Sequence, residues 1–162
     1  MKPAVVFAAA IVSAALPAFA QNAGQIAKAK AGANCPGCNL FQADFANAEL
    51  KGRNFARARL RQADLQTATM PRANFAGADL RDVNAYGAVL SGANFAGADL
   101  THASFVGAYL QGAGFARARL DGTNFSGAEM ERARGLTQHQ LDSACGDTST
   151  RLPLGLHLGS CR

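Results

Sequence analysis

From Leu40 to Met130 every fifth residue is Leu, Phe or Met, with Ala85 the one exception. Two residues before each of these nineteen centres stands Ala, except at Cys38, Arg53, Val83 and Thr123. The other three residues of each unit are mostly polar, charged or glycine. A period of five matches neither the helical repeat of about 3.6 nor strand alternation. Fixed spacing without insertion predicts a solenoid, in which each unit packs on its neighbours. In extended geometry a centre and the residue two before it point to the same face. Both are apolar, so that face is the interior.

Stacking the centres at intervals of twenty sorts them by type. One column is Leu40, Leu60, Leu80, Leu100, Leu120; another is Phe55, Phe75, Phe95, Phe115. A third is Leu50, Met70, Leu90, Leu110, Met130, and the irregular fourth is Phe45, Leu65, Ala85, Phe105, Phe125. An interval of fifteen mixes Leu, Phe, Met and Ala in one column. Four units per coil is therefore the reading. About five coils at ~4.8 Å give a rod roughly 24 Å long. Gly at 52, 77, 87, 92, 97, 107, 112, 122 and 127 falls between centres, where the chain turns a corner. Arg53 is too long for an Ala site and is expected to distort its corner or snorkel outward. Ala85 leaves volume beside Leu65 and Phe105, which Phe105 is expected to fill.

The ends read differently. Lys2, the apolar run Val5 to Leu16 and Ala18-Phe19-Ala20 form a secretory signal peptide over 1–20, cleaved after Ala20. A membrane anchor is the competing reading, but the run is short for a span of ~20 residues. No later segment is apolar enough to cross a bilayer. Residues 21–35 form a leader or cap, 36–135 the repeat and 136–162 a C-terminal cap. Ala23 to Ala31 has helical composition and is placed across the first coil. Thr137-Gln138-His139-Gln140 has capping-box form and starts a short helix through about Ala144. Leu136, Leu141, Leu154, Leu156 and Leu158 are expected to close the bore. A covered end opposes end-to-end pairing, so a monomer is expected.

Four cysteines flank the run of centres from Leu40 to Met130, Cys35 and Cys38 before it and Cys145 and Cys161 after it. Export to an oxidising compartment makes disulfides the default. Pro36-Gly37 suits a type II turn that brings Cys35 and Cys38 together. The two pairs sit at opposite ends of a rod. Cys35–Cys38 and Cys145–Cys161 is the expected pairing, with a redox-active Cys35/Cys38 the alternative. The chain's formal net charge of +5 is modest. Asn39 to Gly135 holds eleven Lys/Arg and nine Asp/Glu, which is no footprint for nucleic acid.

The run Ala73-Asn74-Phe75-Ala76-Gly77-Ala78-Asp79-Leu80 resembles the pentapeptide-repeat family. The resemblance covers residues 36 to 135. It implies an all-β, right-handed quadrilateral β-helix with four units per coil. The family includes quinolone-resistance proteins that resemble DNA and bind gyrase. Such mimicry needs a strongly negative surface, whereas the outward column Asn39, Arg59, Asp79, Asp99, Arg119 alternates in sign.

Gly-x-Ser-x-Gly, His-Glu-x-x-His and phosphate-cradling loops are missing, and His102, His139 and His157 lie on different elements. The expectation is a non-enzymatic chain without metal or cofactor. It acts as an interaction or scaffold module of the cell envelope, periplasmic or secreted, with a protein partner of unknown identity. A purely structural element without a ligand is the alternative, and a gyrase-binding DNA mimic a third. Outward stacking places Tyr86 beside Val106 and Val89 beside Tyr109 at one corner, a candidate interface. Arg57, Arg59, Arg61 and Arg81 gather near another corner as a candidate anion patch, against the plain reading of a salt-bridged, solvated face.

Overall fold

The computed structural model describes residues 22–161, so the predicted signal peptide lies outside the described residues. From Asn39 to Arg134 the backbone climbs in coils of twenty residues, joined by parallel bridges between i and i+20. Four bridges per coil define four walls. Wall 1 carries Asn39, Arg59, Asp79, Asp99 and Arg119; wall 2 carries Asp44, Asp64, Asn84, Ser104 and Asn124. Wall 3 carries Glu49, Thr69, Val89, Tyr109 and Glu129; wall 4 carries Asn54, Asn74, Asn94, Gly114 and Arg134. Each bridge is one residue wide rather than a continuous strand, because two of every five residues are spent on a corner.

The corner explains the repeat. Ala78 N–H donates to Phe75 O at 3.0 Å, and Gly77 between them has φ +64°. A positive φ at the third turn residue is the mark of a type II turn. The first corner N–H has no partner in the ladder, and the Asn or Asp before the centre supplies one. Asn74 Oδ1 accepts Ala76 N–H at 3.1 Å, and Asp64 Oδ1 accepts Gln66 N–H at 2.9 Å. Several second corner residues are not glycine, among them Arg57, Thr67, Arg72 and His102, with φ of +57°, +54°, +59° and +58°. Thr67 Cγ2, Arg72 Cγ and Arg57 Cγ lie 3.7, 3.3 and 3.6 Å from where a Cβ would stand on Gly87, Gly92 and Gly77. A long corner side chain therefore drapes over the glycine one coil on.

Inside, the Phe column stacks with ring centroids 5.5, 5.3 and 5.2 Å apart from Phe55 through Phe115. Such offset stacks add about 0.5–1.5 kcal/mol per pair beyond burial. Phe105 stacks on Phe125 at 5.6 Å and meets Phe95 edge-on at 5.8 Å. At the Ala85 unit Val83 replaces the usual Ala, and both are buried. The added Val methyls, in the same unit and on the same inward face, supply part of the volume missing at Ala85. Arg53 snorkels outward as expected: it is exposed, and its guanidinium reaches over Gly32. Thr123, also in an Ala site, is fully buried and donates to Leu100 O at 2.9 Å.

The solenoid's first unit centres on Cys35, at the foot of the Phe column. Cys35 N–H donates to Asn54 O, and Gly37 N–H to Ala56 O, each at 2.8 Å. Cys35 is bonded to Cys38, with Cα atoms 5.4 Å apart, so this disulfide spans an interior corner. Helix α1, Ala23–Lys30, covers this end. Ala29 is buried, and Gln25 Oε1 accepts the Asn39 N–H at 2.6 Å.

At the other end the cap is a distorted sixth coil. Past Gly135 the register drifts: Asn124 pairs with Cys145, twenty-one residues on, and Glu129 with Arg151, twenty-two on. Ala144 N–H donates to Leu141 O at 3.0 Å, the same turn bond that Thr123 makes to Leu120 O. Leu141 thus continues the Leu40–Leu120 column, and it is fully buried. The extra residue is absorbed by helix α2, Gln138–Leu141, which carries the capping box but ends before the expected Ala144. Strand β1, Cys145–Gly146, pairs in parallel with β2, Gly159–Ser160, and Cys145 is bonded to Cys161. Leu136, Leu156 and Leu158 pack against the core, but Leu154 does not. It is 104% exposed at the apex of a turn, Pro153 to Leu156, in which Gly155 has φ +81°.

Candidate functional site

The four walls differ in chemistry. The corner between walls 2 and 3 brings together the residues of the candidate interface. Tyr86 and Val106 share one outward column, and Val89 and Tyr109 are directly bridged on wall 3. Tyr86 and Tyr109 are 52% and 44% exposed, while Val89 and Val106 are half-buried. Between the two columns Gly87, Gly107 and Gly127 form a floor in one line, open at Gly107, with Thr67 Cγ2 against Gly87 and Ser149 Oγ against Gly127. Gly127 N–H, at the upper end of that floor, donates to Asp147 Oδ1 at 3.0 Å. Exposed aromatic rings beside the open backbone at Gly107 can grip an apolar or extended segment.

Charge is divided around the girth, which the sequence count of near-balance did not reveal. Residues 43–49 and their equivalents up to 123–129 contain no Lys or Arg and carry Asp44, Glu49, Asp64 and Glu129. The repeat's basic residues all lie on walls 1 and 4 and their corners.

On wall 1 most charges are paired. Arg81 Nη2 lies 2.6 Å from Asp79 Oδ2, and Arg119 Nη1 lies 3.5 Å from Asp99 Oδ2. Arg61 Nε is 3.5 Å from Asp82 Oδ2. Hydrogen bonds from Arg81 hold the Asp79 carboxyl below its usual pKa, against the opposing effect of burial. The candidate anion patch is therefore divided. Arg61 and Arg81 engage aspartates, Arg59 stands in the wall, and Arg57 lies around the next corner over Gly77.

The hollows of the surface are shallow. One of about 380 Å³ lies between the last coil and α2 and is bordered by Asp121, His139, Asp142 and Ser143. Its polar groups serve the cap. Ser143 Oγ donates to Gln140 O at 3.2 Å, and Asp142 Oδ1 accepts from Gln138 Nε2 at 2.8 Å. Gln140 Nε2 closes the coil by donating to Phe115 O and Ala118 O. A nucleophile needs a base within hydrogen-bond reach, and this serine hydroxyl is spent on a helix carbonyl. Among the described residues no group of three His, Cys, Asp or Glu is placed to hold a metal ion. Among them, too, no helix is long and apolar enough to cross a membrane.

The family model for pentapeptide repeats matches in eight copies over residues 31–62, 54–92, 78–113 and 88–127. The chain belongs to the pentapeptide-repeat family. Among solved structures it resembles a pentapeptide repeat protein of the Arabidopsis thaliana thylakoid lumen. The two are 30% identical, with a TM-score of 0.64 over 70% of this chain and 81% of the other. It also shares the fold of QnrB1, a plasmid-mediated fluoroquinolone resistance protein. That match is 23% identical, with a TM-score of 0.53 over 68% of this chain and 59% of the other. A sequence comparison with curated proteins finds no match.

Proposed function

We propose that this chain is an exported, non-enzymatic scaffold that holds a protein partner of the cell envelope at the Tyr86–Tyr109 corner. The observation that carries the reading is the pair of exposed tyrosines astride the Gly87–Gly107–Gly127 floor. Interface hot spots are enriched in tyrosine, and Tyr86 and Tyr109 are two of the three exposed large hydrophobic residues among the described residues. Export, to the periplasm or beyond the cell, is supported by two disulfides with no free cysteine among the described residues. The likeness to a lumenal protein agrees with it. The non-enzymatic reading rests on polar groups that are spent on caps and ladders. The coil is read as right-handed, as the family resemblance implies, and the chain as a monomer.

The test is a pull-down of the tagged chain from an envelope fraction, beside Tyr86→Ala/Tyr109→Ala. One saturable partner, lost with the double variant, is the expected result. A partner held at unchanged affinity by the variant removes the corner as its site. Complete absence of a saturable partner favours the second reading, a structural element without a ligand, for which the continuous Phe and Asn stacks speak. A DNA-mimic role fits poorly, because the acids of wall 1 are tied to arginines and wall 4 is basic.

A further inference from the structure

We infer that wall 4 is a docking face for an anionic membrane surface, separate from the tyrosine corner. Its two bounding corner columns carry arginines at matching spacing, one row offset from the other by most of a coil. Arg72 and Arg132 stand on one edge, Arg57 and Arg117 on the other, each pair three coils apart. That is roughly 14 Å at the ladder spacing. All four are exposed, and none has a carboxylate within ion-pair distance among the described residues. Lys51, Arg53 and Arg134 add charge at the two ends of the same wall. The one acid there, Glu131, is paired with Arg151 at 3.4 Å.

Between the arginine rows the surface is flat and uncharged. Asn54, Asn74 and Asn94 form a hydrogen-bonded ladder, and Ala56, Ala76, Ala96 and Ala116 stack beside it. A hollow of about 340 Å³ bordered by Pro36, Ala56, Arg57 and Ala76 opens next to one arginine and offers room for a headgroup. Four cations spread in two dimensions, at the corners of a parallelogram on one wall, suit a planar array of negative charge. A linear polyanion is better served by a single row or a groove. The ion-paired arginines of wall 1 lack this freedom.

The experiment is co-sedimentation of the folded, full-length chain with vesicles. One set is phosphatidylcholine alone; the other is equal parts phosphatidylcholine and phosphatidylglycerol. The readout is the salt-sensitive part of binding, because apolar insertion responds little to screening. The wild-type chain is expected to bind the anionic vesicles at low salt and release at high salt. Each surface arginine contributes about fivefold, so replacing Arg57, Arg72, Arg117 and Arg132 by Gln lowers partitioning by at least about a hundredfold. The same four changed to Lys keep the charge and should retain binding. Arg61→Gln/Arg81→Gln/Arg119→Gln, on the paired wall, should bind like wild type.

Salt-insensitive or absent binding by wild type overturns the inference, as does unchanged binding by the four-Gln variant. Tight binding to heparin without binding to the vesicles also overturns it, in favour of a linear polyanion. None of these outcomes bears on the Tyr86–Tyr109 partner, so the two readings fail separately.

Discussion

Asn94 donates its side-chain N–H to Asn74 Oδ1 at 3.2 Å, and the same oxygen accepts the corner N–H of Ala76 at 3.1 Å. Asn74 in turn donates to Asn54 Oδ1 at 3.1 Å. One residue type thus seals the corner within a coil and ties that coil to the next. The ladder stops at Gly114, where a Cβ would meet Asn94 Oδ1 at 3.8 Å, an ordinary contact. Gly114→Asn should extend the ladder and cap Ala116 N–H. It also removes freedom from the unfolded chain. The gain should be about 1 kcal/mol, read as a rise of a few degrees in Tm. A fall in Tm rules out an extended ladder.

Glycines with positive φ are not equivalent. Gly97 has φ +65° and nothing within 4 Å of its Cβ position, so Gly97→Ala meets only the left-handed backbone cost, about 1–2 kcal/mol. Gly135 has φ +72°, and a Cβ there would stand 2.8 Å from Ala116 N and 2.9 Å from its Cα. Backbone cannot swing aside as a side chain does. Gly135→Ala should therefore cost more than Gly97→Ala and loosen the sixth coil, seen as a larger drop in urea midpoint. Equal midpoints for the two variants refute the close approach as the cause.

The regular part of this fold was legible because each inward residue has one task. Leu, Phe and Met fill the bore, Ala narrows it, and a twenty-residue column makes like stack on like. The sixth coil was not legible, since Leu141 lies twenty-one residues from Leu120 and α2 hides the inserted residue. Leu154 misled for a related reason: alternation suggested a buried face, but the turn at Gly155 points that leucine outward. Of the candidate surface, the tyrosine corner followed directly from the columns. The arginines were visible as letters. Which of them are free depended on ion pairs between side chains two residues or a coil apart, such as Arg81 with Asp79 and Asp99.

The two disulfides close loops of different length, with sequence separations of 3 and 16. Loop-closure entropy favours the longer one, at about 3 kcal/mol for ~15 residues. The tail it tethers is otherwise held by Cys161 N–H to Gly146 O, by the exchange between Gln138 and His157, and by partly buried Leu152, Leu156 and Leu158. Cys145→Ala/Cys161→Ala should lower stability more than Cys35→Ala/Cys38→Ala. It should also raise amide exchange in residues 152–161, while Leu60 to Leu110 stay protected. Uniform loss of protection along the rod argues that the cap and coils unfold as one unit.

Acid should act on the C-terminal cap through Asp147. Its Oδ1 accepts from Ser149 Oγ at 2.7 Å, from Gly127 and Ser149 N–H at 3.0 Å, and from Thr150 N–H at 3.1 Å. The Ser149 hydroxyl leads these donors in favouring the charged form, and the pKa falls to about 2 from an ordinary 3.8. A carboxyl depressed in the folded state binds its proton more readily when unfolded. Its stabilisation is therefore present above the unfolded value of about 4 and lost as pH falls through the folded value near 2. Asp147→Asn keeps an acceptor oxygen but cannot titrate. The Tm advantage of wild type over this variant should be full at about pH 5 and shrink steadily towards about pH 2. A constant difference across that window assigns the acid sensitivity to other carboxylates, with Asp79 the next candidate.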